Sequence, residues 1–203
     1  MTREFIGRNQ GKVNKMLISK FSNDTAKNQI ASIEKEYAVV LPDQYRAFLC
    51  KYNGGYTPKT TFKVGKISSD IRGFYGLGDV ELSLKTTELR KWLNAKVLPI
   101  ACDSFGNEIV IALSGDDNGK IYFCDHEKGN KPDYIAEDLK SFFSCCESEK
   151  ISDVSIRSIE EREAALIAAG RGNIITDALR QMWQAEIDKY TNMVREEVII
   201  DER

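Results

Sequence analysis

The sequence has a single histidine, His126, and this limits the kinds of catalytic site that it can form. It lies in the segment Cys124-Asp125-His126-Glu127, at the end of a predicted strand. One imidazole is too few for two-histidine zinc sites, metalloprotease motifs or metal facial triads. A nucleophile, base and orienting group could be drawn on paper from Cys102, His126 and Asp103, but no nucleophile-elbow or protease-cysteine motif surrounds them. We therefore expect a structural role for His126 and a protein that is not an enzyme.

The glycine-rich segments do not have the pattern of a phosphate site. Gly76-x-Gly78 lacks the third glycine of a dinucleotide fingerprint, and 115–119 (Gly-Asp-Asp-Asn-Gly) places two acids where phosphate needs donors. The same segment lacks the remaining ligand positions of a calcium loop. Carboxylates are numerous, yet nothing selects one pair for glycoside hydrolysis. The sequence predicts an acidic hairpin turn, no cofactor and no metal.

The net charge of −2 conceals a gradient along the chain. Residues 1–100 carry a net charge of +8, residues 101–149 carry −7 and residues 150–203 carry −3. An acidic block of this size repels nucleic acid and can steer a basic partner towards itself, although a merely solvated surface is the alternative. The basic residues are dispersed without interleaved aromatic residues, so we expect no direct binding of nucleic acid.

The distribution of apolar residues and cysteines favours a cytoplasmic location. No stretch approaches the ~18 apolar residues that a membrane span needs, and residues 1–20 are too polar for a secretory signal. The five cysteines are an odd number without a C-x-x-C pair, which is typical of reduced thiols rather than of a secreted disulfide framework.

Hydrophobic periodicity predicts the elements that position these residues. Helical spacing begins near Thr25, and a second helix begins at Leu41-Pro42-Asp43 and ends at Asn53-Gly54-Gly55. A further helix is predicted over 84–93 and another over 137–146. Short apolar runs separated by turn-rich segments predict strands in an antiparallel meander. These runs cover 60–64, 71–75, 97–102, 108–113 and 120–124.

The last 55 residues are predicted to be a helical pair. Ser158-x-x-Glu161 is a capping box, Gly170-Arg171-Gly172 breaks the helix and Thr176 can cap the next one. An amphipathic stripe follows, made of Leu179, Trp183, Ile187, Tyr190 and Val194. We expect the pair to pack on the domain, with a homodimer or partner interface as the alternative. The chain then divides into a basic extension (1–24), an α+β domain (25–147) and a C-terminal helical extension (148–203).

Four motifs follow one another along the chain: Leu41-Pro42-Asp43-x-Tyr45-x-x-Phe48-Leu49 with Tyr52-Asn53-Gly54-Gly55, then Phe74-Tyr75-Gly76-Leu77-Gly78-Asp79, then Leu98-Pro99-Ile100-Ala101-x-Asp103-x-x-Gly106-Asn107, and Ser114-Gly115-Asp116-Asp117-x-Gly119-Lys120-Ile121-Tyr122-Phe123-x-Asp125-His126-Glu127. In this order they resemble the SUKH superfamily, whose founding branch is the Smi/Knr-like proteins. Cys124 stands where the family pattern often has tryptophan. The resemblance spans roughly 25–147 and implies an α+β fold with a twisted, mostly antiparallel sheet flanked by helices.

The resemblance also implies a function in binding rather than in catalysis. Bacterial members of the superfamily are predominantly immunity proteins that neutralise polymorphic or contact-dependent toxins, whereas fungal members are regulatory hubs in cell-wall signalling. An immunity role implies a cognate protein toxin as partner, and the acidic block favours a basic one such as a nuclease. The candidate partner-binding residues are Asp116, Asp117, Asp125 and Glu127. A regulatory hub remains the alternative.

Overall fold

The computed structural model describes residues 15–149, 157–191 and 195–200, and these form an antiparallel sheet with helices. Eight of the nine strands lie in the order β7-β6-β5-β4-β3-β2-β1-β9, and the ninth, β8, pairs with β2 off this path. The strands are β1 (Leu17–Lys20), β2 (Gly55–Val64), β3 (Ile67–Phe74), β4 (Val97–Cys102), β5 (Glu108–Ala112), β6 (Ile121–Asp125), β7 (Lys131–Ala136), β8 (Cys146–Ser148) and β9 (Glu196–Glu197). The predicted α+β class and the largely antiparallel sheet are thus confirmed.

Six α-helices accompany the sheet in the described residues. They are α1 (Ala26–Tyr37), α2 (Asp43–Tyr52), α3 (Leu89–Asn94), α4 (Leu139–Ser144), α5 (Ile159–Ala168) and α6 (Asp177–Thr191). The predicted helix over 84–93 is instead a short 3-10 turn followed by α3. The hydroxyls of Thr86 and Thr87 bond back to the carbonyls of Ser83 and Leu84, and this competition with the backbone interrupts the helix.

The main core lies between one face of the sheet and helices α2 and α4. Tyr45, Phe48, Leu49 and Tyr52 recur at helical spacing on α2, and all four are buried. The ring of Phe48 lies 5.3 Å from that of Phe74 on β3 and 5.5 Å from that of Phe143 on α4. Such tilted aromatic contacts add to the stabilisation from buried apolar area, so α2 is fixed against the centre of the sheet.

The Asn53-Gly54-Gly55 segment ties the end of α2 to the chain after β3. Asn53 is left-handed (φ 50°), and its side chain bonds to both the backbone N–H and the carbonyl of Leu77. A Cβ on Gly54 would lie 2.5 Å from the carbonyl oxygen of Phe74, so only glycine allows this approach. The motif shared with the superfamily is therefore explained by folding rather than by ligand binding.

The sheet extends beyond the predicted domain boundaries at both ends of the chain. Strand β1 lies within the predicted basic extension and pairs with β2, while β9 lies within the predicted C-terminal extension and pairs with β1. Strand β1 has only four residues and β9 consists of two glutamates, so neither gives a run long enough for a β pattern, and the sequence did not reveal them. Residues 1–14 of the predicted extension lie outside the described residues.

Helices α5 and α6 form an antiparallel hairpin, and the predicted capping box is present. The Ser158 hydroxyl accepts the N–H of Glu161, whose carboxylate accepts the N–H of Ser158. Thr176 accepts the N–H of Leu179, as predicted. No side chain of α5 is buried, and in α6 the buried side chain among those described is Tyr190. Packing of this pair on the domain stays a prediction, and Val194 lies outside the described residues.

All five cysteines are free thiols. Cys102, Cys124 and Cys146 are buried, as expected for small apolar side chains in a folded interior. Within the described residues, no helix combines the length and apolar character required to cross a membrane.

Candidate interaction surface

The β4–β5 turn is built around Asp103, whose carboxylate is buried. One carboxylate oxygen accepts the backbone N–H groups of Phe105 (2.9 Å) and Asn107 (2.8 Å). The other accepts the hydroxyl of Ser69 and the side-chain amide of Asn107, each at 2.7 Å. Four hydrogen bonds satisfy the buried carboxylate and leave the turn one well-defined conformation.

Phe105 is at the tip of this turn and is 72% exposed. Ser104 fixes the tip from the other side, because both its backbone N–H and its hydroxyl donate to Asp70 on β3. An aromatic side chain held in water by a rigid turn can enter a partner's pocket with little additional loss of conformational entropy. Sequence reasoning identified the turn but not Phe105, since exposure of an aromatic residue cannot be read from its type.

His126 connects the β6–β7 turn to this structure. Its backbone N–H (3.1 Å) and its ring Nδ1 (2.9 Å) both contact the side-chain oxygen of Asn107. Among the described residues, the ring therefore bonds to Asn107 rather than to Cys102 or Asp103. This contact fits the structural role expected of His126 at the end of the strand. The carboxylate of Asp103 accepts hydrogen bonds within the β4–β5 turn instead.

Two of the four predicted partner-binding acids lie at this same turn. Asp125 accepts the N–H of Glu127 (3.0 Å) and forms an ion pair with Lys128 (2.8 Å). The Lys128 ammonium lowers the pKa of the Asp125 carboxyl, chiefly through this hydrogen bond. Glu127 is exposed and has no ion-pair partner among the described residues. Phe105, Asp70, Asp125 and Glu127 form what we call the Phe105 surface.

The other two predicted acids lie at the opposite end of β6. Asp116 and Asp117 are in the β5–β6 turn, so β6 separates them from Asp125 and Glu127 by about 15 Å. Asp117 is paired with Lys120 (2.9 Å), and this contact lowers its pKa. The structure therefore divides the acidic block into two surfaces instead of bringing its four acids together.

A groove of about 840 Å³ is lined by residues of α1 and α2 and by Ile199 and Ile200. Apolar side chains such as Ile30 and Ala47 line it together with charged side chains of both signs. This mixed lining does not select a class of ligand. Within the described residues, no group of three His, Cys, Asp or Glu side chains is arranged to hold a metal ion.

The α+β fold described above is consistent with a protein of the SUKH type. Residues 27–143 match the family SUKH_6, described as SMI1-KNR4 cell-wall, and the chain belongs to that family. The chain is also 32% identical over 120 residues to the SPbeta prophage-derived uncharacterized protein YokK of Bacillus subtilis (strain 168). That alignment covers 49% of this chain and 61% of the relative, so the chain spans about three fifths of the relative's length.

Proposed function

We propose that this protein is a cytoplasmic immunity protein that neutralises a cognate bacterial toxin by binding it through the Phe105 surface. Membership of the SUKH family supports the class of function, since that family includes immunity proteins. The choice of this surface rests on one observation: Phe105 is exposed on a turn that Asp103 fixes. Similarity to a prophage-derived protein is consistent with a role in conflict between bacteria, but it names no partner.

The chemistry of the surface favours a basic toxin such as a nuclease. Asp125 and Glu127 lie in the neighbouring β6–β7 turn, which the contact between Asn107 and His126 joins to the turn of Phe105. Negative charge near a binding surface steers a positively charged partner during encounter. A nuclease binds a polyanion and therefore carries a basic cleft, which an acidic surface can occupy and block. Binding of this kind needs no catalytic residue in the immunity protein.

Capture of the partner from the native cell tests this function. The tagged protein should recover one dominant toxin fragment in a near-stoichiometric amount, and co-expression should protect cells from that fragment. Recovery of many unrelated proteins without protection would instead favour a regulatory hub. The family description, which names the cell wall, is the observation that keeps this second function open.

Charge reversal at the two ends of β6 tests where the toxin binds. Glu127→Lys should weaken binding on the order of 10-fold and reduce its salt dependence, because it repels a basic partner at the Phe105 surface. Asp116→Lys is the matched control, since it makes the same change at an exposed acid in the other turn and should alter affinity by less than about 3-fold. The measurement is titration calorimetry at two salt concentrations. The reverse ranking would place the interface at Asp116 and Asp117.

A further inference from the structure

The C-terminal segment, residues 195–200, covers the outer edge of strand β1. Its strand β9 pairs with Leu17 and Ile18 of β1, on the side of β1 that faces away from β2. The backbone N–H of Val198 then donates to the carbonyl of Met16 at 2.9 Å. Addition of a short extended segment to an edge strand is a common way in which sheets bind peptides. The contacts of this segment therefore show what the edge of β1 can bind.

A buried tyrosine on α2 holds the backbone of the segment. Tyr52 is 1% exposed, and its hydroxyl accepts the N–H of Ile199 at 2.9 Å and lies 3.3 Å from the carbonyl of Glu197. The ammonium of Lys51 donates to the carbonyl of Ile199 at 3.2 Å. These bonds go to backbone groups, which every extended chain presents, so another chain in the same position can form them.

Two lysines at the ends of β1 add a preference for acidic side chains. The Lys15 ammonium lies 2.6 Å from the carboxylate of Glu197. The Lys20 ammonium lies 3.0 Å from the carboxylate of Glu196. Both ion pairs are partly exposed, so each contributes little stability and weakens in salt. They select for negative charge at these two positions but do not hold the segment tightly.

Apolar side chains follow the two glutamates at alternate positions. Val198 and Ile200 pack against the hydrophobic core, whereas Ile199 between them is 52% exposed. This alternation is that of an extended chain with one face towards the protein. If the segment leaves, the core surface under its two inward side chains meets water, which favours an occupant of the same kind. The ligand chemistry is thus two acidic residues followed by alternating apolar residues.

The resident segment uses only part of this edge. Strand β9 pairs with two of the four residues of β1, and none of the six side chains of 195–200 is buried. Segments with few buried contacts open with a smaller free energy than the whole domain. An extended segment that also pairs with Ser19 and Lys20 gains backbone hydrogen bonds beyond those of the two-residue β9. Such a segment can displace the resident one.

A different protein meets these conditions better than a second copy of the chain. The same segment of a second copy would make the same contacts as the resident one, and it lacks the high effective concentration of an intramolecular segment. A partner with a longer strand gains pairs with β1 beyond those of β9. The contacts therefore favour a partner protein as the occupant.

We infer that the outer edge of β1 is a strand-binding site for an extended segment of a partner protein, in which two acidic residues precede alternating apolar residues. The C-terminal segment closes this site until the partner displaces it. The site does not depend on the identity of a toxin, because it lies at the other end of the sheet from the Phe105 surface. Strands β1 and β9 also lie outside residues 27–143, which match the family model.

Fluorescence anisotropy with a labelled synthetic peptide tests this site in the full chain. The peptide Thr-Val-Glu-Glu-Val-Thr-Ile carries the acidic and apolar residues, and its first two β-forming residues can pair with Lys20 and Ser19. Val198→Asp weakens the resident segment and leaves β1 and Tyr52 unchanged. This variant should bind the peptide at least about 10-fold more tightly than the parent does, because a larger fraction of the protein has the site open.

Two controls separate this site from general binding of the peptide. Ile199→Asp makes the same substitution at the neighbouring exposed residue and should change peptide affinity by less than about 3-fold. A peptide with lysines in place of both glutamates should bind Val198→Asp at least about 10-fold more weakly, since Lys15 and Lys20 repel it. In hydrogen exchange, the acidic peptide should protect the amides of 17–20.

Circular dichroism establishes that the variants fold. Glu197→Lys breaks the ion pair with Lys15 and loosens the resident segment by a second route if Val198→Asp reduces the folded signal. Failure of both loosened variants to bind the peptide would overturn the assignment, as would equal affinity of parent and variants or of the acidic and basic peptides. A dimer of the unaltered protein that becomes monomeric in Val198→Asp would also overturn it, because a second copy would then occupy the edge.

Discussion

Glu108 is a carboxylic acid held in a largely apolar setting at the start of β5. Its backbone pairs with Cys102 on one side and Cys124 on the other. One carboxyl oxygen accepts the hydroxyl of Tyr75 at 2.9 Å, and the other is buried without a partner among the described residues. Burial raises the pKa of Glu108 to about 7, because water no longer stabilises its charged form.

This pKa predicts that stability falls as the pH rises. The folded protein holds the proton of Glu108 more tightly than the unfolded chain does, so the contribution is complete below about pH 4.5 and is lost progressively up to about pH 7. Glu108→Gln removes the charge and should be more stable than the parent at pH 8 by on the order of 2 kcal/mol, with little difference at pH 4.5.

Urea unfolding of parent and variant across this pH range measures the effect. Asp116→Asn is the matched control, because it removes a carboxylate that is exposed rather than buried, and it should not reproduce the gain in stability of Glu108→Gln at pH 8. Equal pH dependence in Glu108→Gln and in the parent would contradict a buried, charge-free Glu108.

The Tyr52 hydroxyl, at the end of α2, is one of several contacts that hold β9, beside the ion pairs of Lys15 with Glu197 and of Lys20 with Glu196. The Tyr52 hydroxyl accepts the N–H of Ile199 at 2.9 Å, and its oxygen lies 3.3 Å from the carbonyls of both Glu197 and Ile199. A two-residue strand has few ladder bonds of its own, so this contact is expected to hold the C-terminal segment against the sheet.

Tyr52→Phe should therefore loosen β9 and cost about 1 kcal/mol in the free energy of unfolding, because two backbone groups lose their partner. Faster amide hydrogen exchange over 196–200 is the direct readout. Tyr45→Phe is the control on the same helix. The Tyr45 hydroxyl is buried and has no partner among the described residues, so its removal should cost nothing and leave exchange unchanged. Identical exchange in both variants would show that another contact holds β9.

The sequence predicted correctly those helices and strands whose hydrophobic period matches the secondary structure that they form. Helix α2 and strand β4 combine strong periodicity with clear end signals, and both have nearly the predicted bounds. Strand β7 was missed because Lys131, Pro132 and Asp133 are poor strand formers, which are tolerated at an edge. Strand β9 was missed because two glutamates carry no β signal, and its pairing with β1 joins distant parts of the chain.

The candidate site was predictable only in part. The sequence indicated acidic turns around β6, and the structure contains them. It could not show that the strand separates Asp116 and Asp117 from Asp125 and Glu127, since that depends on which turns share an end of the sheet. It also could not select Phe105, which is exposed on a turn that the hydrogen bonds of Asp103 fix.

At the scale of the whole molecule, the Phe105 surface lies towards the β5–β7 end of the sheet, and β9 lies at the other end, beyond β1. A toxin bound at the Phe105 surface therefore leaves the β1–β9 end uncovered. We expect equal numbers of immunity proteins and toxins in the complex, which light scattering of the purified complex would measure. A complex with one toxin for two immunity proteins would show that one toxin engages two copies of the surface.

The central claim is that Phe105 anchors a protein partner, and calorimetric titration of the captured toxin fragment with Phe105→Ala tests it most directly. A buried aromatic anchor accounts for 2 kcal/mol or more, so affinity should fall by at least about 30-fold. The control is Tyr134→Ala, which removes an aromatic residue that is 51% exposed on β7 and should change affinity by less than about 3-fold. Unchanged affinity of a folded Phe105→Ala protein would contradict the account.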